Sequence, residues 1–243
     1  MRVCEPNLPQ GRVTLALANG LYDESATALK NLGVNVLTLG NVDSLGQLKN
    51  HTDLSFLHLS KNTAAIAREH REASIDGIKI FPIEKNLTSD YPGDVPLNCC
   101  IVGNRAICRV DSLSERVLKY LTENSFEIIN VKQGYAKCSV AVVSENAIIT
   151  EDAGIARACE NYFDVLPLEE KISVLPGYDC GFLGGACGKI AKDTLAFNGD
   201  IFNNKIKDKI EAFTRSHGVY CVFLCDKGLM DIGGIIPLYE EDA

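Results

Sequence analysis

The chain has 243 residues, 46% of them hydrophobic, and a formal net charge of -8. That apolar content is ample for a continuous core, and an acidic balance without any run of lysine or arginine excludes the electrostatic footprint used to hold nucleic-acid phosphates. With no apolar leader in residues 1–10 and no stretch of roughly 18 uninterrupted apolar residues, neither a signal peptide nor a membrane span is expected, and the chain reads as cytoplasmic.

Ten cysteines in such a chain read as reduced thiols, most of them small buried hydrophobes inside strand patterns. None falls in a C-x-x-C pair or a Cys/His cluster at zinc spacing, so no metal and no cofactor is expected.

In chain order, residues 12–18 read as a strand broken by Asn19 and Gly20. Residues 22–32 carry helical spacing that ends at Gly33, and residues 34–39 form a second strand. Residues 53–59 and 63–67 read as a hairpin around Lys61 and Asn62, followed by a charged stretch at 68–73, either a short helix or a connection, and a strand at 77–81. The next hairpin spans 97–108. Ser112 and Glu115 have capping-box spacing for a helix through Val117, Leu118 and Leu121, and residues 126–131 close the unit. A third hairpin at 138–150 leads to a helix over 153–162 and a strand at 163–166. A fourth at 184–197 leads to a helix over 205–216, its cap Gly218, and a strand at 219–224. A fifth strand begins at Asp231.

The last unit lacks a strand, a helix and a strand, which residues 12–39 supply. Counted in this way the chain holds five copies of strand, strand, helix, strand, with hairpins starting near Asp53, Leu97, Cys138, Gly184 and Asp231. Their spacing of roughly 41–47 residues lies in the range of repeat and propeller architectures. One closed α/β domain over residues 1–243 is the economical expectation, since a ring closed by its own terminus leaves few sheet edges exposed.

This succession of ββαβ units resembles the pentein, or guanidino-group-modifying-enzyme, fold: the five-fold pseudosymmetric α/β propeller of arginine deiminases, dimethylarginine dimethylaminohydrolases and amidinotransferases. The segments Asn50-His-Thr-Asp53, Tyr91-Pro-Gly-Asp94 with Asn98, Val131-Lys-Gln-Gly-Tyr-Ala-Lys-Cys138, Gly181-Phe-Leu-Gly-Gly-Ala-Cys-Gly188, Phe197-Asn-Gly-Asp200 and Asp231-Ile-Gly-Gly-Ile-Ile-Pro-Leu238 are similar to those of an uncharacterised family of that fold found in anaerobic Firmicutes. The resemblance implies an axial site for a small polar molecule bearing an amino or guanidino group. Enzymes of the fold place a nucleophilic cysteine in the last hairpin, a few residues before a Pro-Leu-like pair. Here Gly233 and Gly234 stand there, so the implied enzyme is a divergent hydrolase or transferase without the usual nucleophile. The other class implied is a non-catalytic propeller that binds a macromolecule, like the ribosome anti-association factor of the same fold.

In a ring, the segment before each first hairpin strand should reach the pseudosymmetry axis. Those segments hold His51 and Asp53; Asp94 and Asn98; Lys132, Gln133, Tyr135, Lys137 and Cys138; Tyr178, Asp179 and Cys180; and Asp231. Cys138, between Lys132, Lys137 and a buried strand, is the best reactive thiol, since the lysines would lower its pKa; packing as an inward strand residue is the other reading. Cys187, among Gly184, Gly185 and Gly188, is second, and tight axial packing is the favoured reading of it. His51 and Asp53, two apart, would on an extended strand face one side and share a proton or orient one another, while Asn50 to Asp53 reads as well as a turn with solvated polar groups. Asp111, Asp152 and Asp200 precede helices and read as N-caps, whereas Asp231 opens a strand where no helix needs a cap. The expected mechanism has Cys138 attacking an electrophilic carbon, Lys132 or His51 managing protons, and Asp53 with Asp231 holding a cationic group. Asn98, Gln133, Tyr135, Lys137, Asp179 and Cys187 complete the expected lining.

Overall fold

The computed structural model describes residues 1–242, and within them fifteen strands sort into five separate three-stranded sheets. After β1 (Val13–Leu17), α1 (Asp23–Asn31), β2 (Asn35–Leu37) and the short α2 (Thr52–Ser55), the first complete unit is β3 (Phe56–Ser60), β4 (Thr63–Ile66) and β5 (Lys79–Pro82). The second is β6 (Cys100–Val102), β7 (Arg105–Cys108), α3 (Glu115–Glu123) and β8 (Glu127–Asn130). The third is β9 (Val140–Ser144), β10 (Ala147–Thr150), α4 (Ala153–Cys159) and β11 (Asp164–Pro167), and the fourth β12 (Cys187–Ala191), β13 (Thr194–Phe197), α5 (Asn204–Ser216) and β14 (Tyr220–Phe223). The final strand, β15 (Ile236–Glu240), pairs antiparallel with β1, with Leu17 opposite Ile236, and β1 pairs parallel with β2. The two ends of the chain therefore share one sheet, as the repeat count requires.

Four sheets follow one rule: a tight antiparallel hairpin, then a crossover that returns a parallel strand to the hairpin's second member; in the fifth, β15 and β1 take the place of the hairpin. In the third unit Val140 faces Thr150 across the hairpin, and Ala147 faces Asp164 after the crossover. A parallel return needs a long connection, and an amphipathic helix supplies it while covering the sheet. α5 buries Ile206, Ile210 and Thr214, four residues apart on one face. The first unit differs: its crossover holds only a 3-10 turn, Arg68–His70, so the charged stretch is a connection and not an α-helix.

The expected caps hold in part. Asp152 Oδ1 accepts from Ile155 N at 2.8 Å and caps α4. α3, however, starts two residues beyond the expected box and is capped by Ser114, while Asp111 pairs with Arg109 at 2.7 Å. Asp200 pairs with Lys207 at 2.6 Å, and Asn203 caps α5. Side chains of this type satisfy a nearby charge as readily as a helix N-terminus, and the spacing alone does not separate the two.

The apolar core sits between successive sheets. One cluster joins Leu57, Leu59 and Ala65 to Ile101 and Ala106; the next joins Cys100 and Ile107 to Val142 and Ile148. A third links Ala141 and Ile149 to Leu195 and Phe197, a fourth links Ala196 to Val13 and Ala16, and a fifth links Leu17 and Leu238 to Phe56 and Ile66. Where β12 lies beside its neighbours, glycine is required: a Cβ on Gly184 would strike the carbonyl oxygen of Val140, and one on Gly188 that of Ile235. Among the described residues no helix is long and apolar enough to cross a membrane.

Candidate functional site

The five first strands begin at Phe56, Cys100, Val140, Cys187 and Ile236, each two to five residues past the expected starts. The polar residues just before them are therefore not on strands. Thr52–Ser55 form a helical turn, Gly184–Ala186 a 3-10 turn, and Asp231 precedes Gly233 and Gly234, whose φ values of 78° and 83° suit only glycine. His51 and Asp53 thus do not share one strand face, which corrects the expected geometry. The turns let each segment bend inward before its strand starts.

Inside, backbone and side-chain hydrogen bonds pass from unit to unit and return to their start. Asp53 N donates to Gly233 O at 3.1 Å, and Asn98 Nδ2 donates to Asp53 O at 3.2 Å. Asn98 Oδ1 accepts from Lys137 N at 2.7 Å and from Cys138 N at 3.3 Å. Gly185 N donates to Cys138 O at 2.9 Å, and the Gly185 carbonyl accepts from Ile232 N at 2.9 Å and Gly234 N at 2.7 Å. One buried amide, Asn98, bridges three of these segments, its Nδ2 also lying 3.1 Å from Cys138 Sγ.

Around this circuit stand His51, Asp53, Lys137, Cys138 and Asp231, none more than 8% exposed. His51 Nδ1 lies 3.7 Å from Asp231 Oδ1. Asp231 also accepts from Gly233 N at 3.1 Å and Phe182 N at 2.9 Å. Burial pushes its carboxyl up to about 6, with Asp53 adding to the rise and His51 and the two amides opposing it. Asp53 is 1% exposed, and apart from the Cys138 thiol beside it neither of its carboxylate oxygens has a hydrogen-bond partner. Burial works against the charged form of Lys137, yet the surrounding thiols and Asp53 hold its pKa above the ordinary lysine value. Counted formally, two carboxylates and one ammonium leave a single excess negative charge.

The Cys138 thiol is pushed well above its ordinary value by burial first, then by the charges of Asp53 and Asp231. This overturns the expectation of a lysine-activated thiolate. Lys132 is exposed and lines a different cavity with Arg109, Asp111 and Asn130. Lys137 is present, but two carboxylates and a dry environment outweigh one ammonium. Cys187 is 2% exposed within a hydrophobic cluster and is raised by burial to about 12, which favours the packed reading. Gln133 also falls outside: its amide donates to Asp152 Oδ2 at 3.2 Å and its oxygen accepts from Tyr135 N at 3.1 Å, so it shapes the loop.

A cavity of about 270 Å³ opens onto this cluster, lined by His51, Cys138 and Asp231 at depth and by Tyr135, Phe182 and Tyr178 further out. Leu48, Leu54 and Leu175 complete its apolar wall, and Asp179 and Cys180 lie near the exposed Tyr178. Tyr135 stacks on Phe182 with ring centroids 5.5 Å apart, and its hydroxyl donates to Asp94. Burial raises Asp94 above the usual carboxylate range despite that bond. Phe182 and the three leucines were not legible as site residues, because an apolar wall has the sequence signature of core; Gly181 before Phe182 is the nearest signal. A larger cavity of about 580 Å³ lies near the hairpin turns at Ser144 and Lys192. Its one deeply buried cation, Lys189, already donates to the carbonyls of Val143 at 2.7 Å and Lys192 at 2.5 Å, so the smaller cavity has the stronger unmet chemistry. Among the described residues no three His, Cys, Asp or Glu side chains are grouped to hold a metal ion.

A model of a family described as "Family of unknown function (DUF6873)" matches residues 17–236. No curated protein matches in sequence. Among solved structures, the chain is similar to inosamine-phosphate amidinotransferase from Streptomyces griseus, with a TM-score of 0.63 at 12% identity, covering 100% of this chain and 98% of that one. It is also similar to a mutant DDAH from Pseudomonas aeruginosa complexed with citrulline, at 0.57 and 11%, covering 94% and 100%. Agmatine deiminase from C. jejuni matches at 0.51 and 9%, covering 97% and 96%. These enzymes belong to the pentein superfamily, and at such identities the likeness is one of fold.

Proposed function

We propose that this chain, which belongs to the DUF6873 family of unknown function, sets its five sheets as a ring about one axis and binds there a small amino- or guanidino-bearing cation. Two features support the ring: the five core clusters that link each sheet to the next, and the hydrogen-bond circuit that returns from Gly233 to Asp53. The observation that carries the binding reading is Asp53. At 1% exposure it stands behind the cavity's lining residues with only the Cys138 thiol beside its oxygens, and a carboxylate so placed costs several kcal/mol unless a positive partner arrives. Lys137 offsets one of the two acids, and the remaining charge matches a monocation. The cavity of about 270 Å³ is slightly below the usual range of roughly 300–1,000 Å³ for small-molecule sites, so the ligand is compact.

Such a ligand also bears on chemistry. A cation against Asp231, with Asp53 nearby, offsets the field that keeps the Cys138 thiol protonated, and that is the condition for Cys138 to give its proton to His51 and attack a guanidinium carbon, whose C=N π electrons move onto nitrogen; the tetrahedral adduct then expels an amine that takes its proton from His51. Calorimetric titration with n-butylguanidinium and its neutral isostere n-butylurea tests the reading. Binding of the cation alone, weakened at least about tenfold in Asp53→Asn, is the expected result. Equal affinity for the two probes, or no binding of either, overturns it.

A further inference from the structure

The cavity has a direction. His51, Cys138 and Asp231 at its inner end are 5%, 2% and 3% exposed, whereas Tyr178 at its outer end is 50% exposed and Asp179 beside it is exposed as well. Between the two ends the wall is Leu48, Leu54, Leu175, Tyr135 and Phe182. A cation seated against Asp231 at the inner end therefore projects the rest of its molecule through an apolar sleeve toward a second negative charge.

Lys171, Arg109 and Lys137 are committed elsewhere. Lys171 Nζ sits 4.8 Å over the Phe182 ring and 3.6 Å from Glu151 Oε2. Glu151 in turn is 0% exposed in its side chain and accepts from Ile172 N and Leu183 N, so drawing Lys171 away would strand a buried carboxylate. Arg109 forks onto Asp111 at 2.7 and 3.1 Å and also donates to the Tyr91 hydroxyl. Lys137 is buried in the field of Asp53, and the only basic side chain lining the cavity, His51, faces Asp231.

We infer that this site selects cations with an apolar body and no carboxylate, and that Asp179 at the mouth is a specificity-determining residue. The inference rests on the cation-binding reading above and narrows its ligand class. A carboxylate at the outer end of the ligand would be stripped of water by the sleeve, would meet no lysine or arginine among the lining residues, and would meet Asp179 as a like charge. An aliphatic or aromatic amine or guanidine meets none of these penalties.

The matched probes are n-butylguanidinium and 4-guanidinobutyrate, which differ only in the terminal methyl or carboxylate, titrated calorimetrically into the full chain. Binding of n-butylguanidinium at least about tenfold tighter is expected, and Asp179→Asn, at an exposed position, should narrow that gap by about threefold. If n-butylguanidinium binds and 4-guanidinobutyrate binds equally or better, the selectivity falls while the cation site stands. A gap unchanged in Asp179→Asn overturns the role given to Asp179, and binding of neither probe overturns the site and its selectivity together.

Discussion

His51 Nδ1 and Asp231 Oδ1 stand 3.7 Å apart with side chains 6% and 1% exposed, a titratable pair from two distant segments held almost without water. Burial raises the Asp231 carboxyl from its ordinary 3.8 to about 6. In that window the folded chain holds a proton that the unfolded chain releases, so stability from Asp231 is present at the acid side and is lost as pH rises. Asp53 and Cys138 face Asp231 as well.

Urea denaturation of the wild type and Asp231→Asn between about pH 4 and pH 7 should therefore show the wild type losing ground to the variant as pH rises, by about 3 kcal/mol at most. A difference that stays flat, or that moves in favour of the wild type, would mean that burial is not what governs this carboxyl.

With its thiol pushed well above the ordinary range, Cys138 should be alkylated by iodoacetamide at neutral pH at least about tenfold more slowly than a model thiol. Cys4, the exposed cysteine, should react first, as peptide mass spectrometry would report. Asp53→Asn removes one of the two charges that raise the thiol and should speed labelling of Cys138. Fast labelling of Cys138 in the wild type would contradict this electrostatic account.

Asn98→Ala should lower stability by about 2–5 kcal/mol. The amide serves Lys137 N, Cys138 N, the Asp53 carbonyl and Cys138 Sγ at once, and alanine would leave these groups buried without it. A urea midpoint within error of the wild type would show that the circuit does not depend on Asn98.

Gly188→Ala should destabilise by about 1–3 kcal/mol or more, because the added methyl meets the Ile235 backbone and not a movable side chain. Gly218→Ala is the contrast: there the Cβ would meet nothing within 4 Å, and the cost arises from a φ of 71°. Equal midpoints for Gly188→Ala and the wild type would indicate that β12 and the segment before β15 do not pack as closely as described.

The five three-stranded units, four of them with a crossover helix, were legible in the sequence because hydrophobic period and turn residues are local properties, and the joining of β15 to β1 followed from the incomplete last copy. The phase of the polar segments was equally legible, which is why His51, Asp53, Asn98, Lys137, Cys138 and Asp231 are found together. Their roles were not. Lys132 and Lys137 are equivalent on paper, yet a turn at residues 136–139 takes Lys137 into the interior while Lys132 before it stays in solvent. Nor does sequence report that two carboxylates from other units face Cys138, or that Leu48, Leu175 and Phe182 wall a cavity instead of filling a core. Charge and desolvation at a point depend on groups far apart along the chain, so the chemistry of Cys138 was decided only when five separate loops were folded against one another.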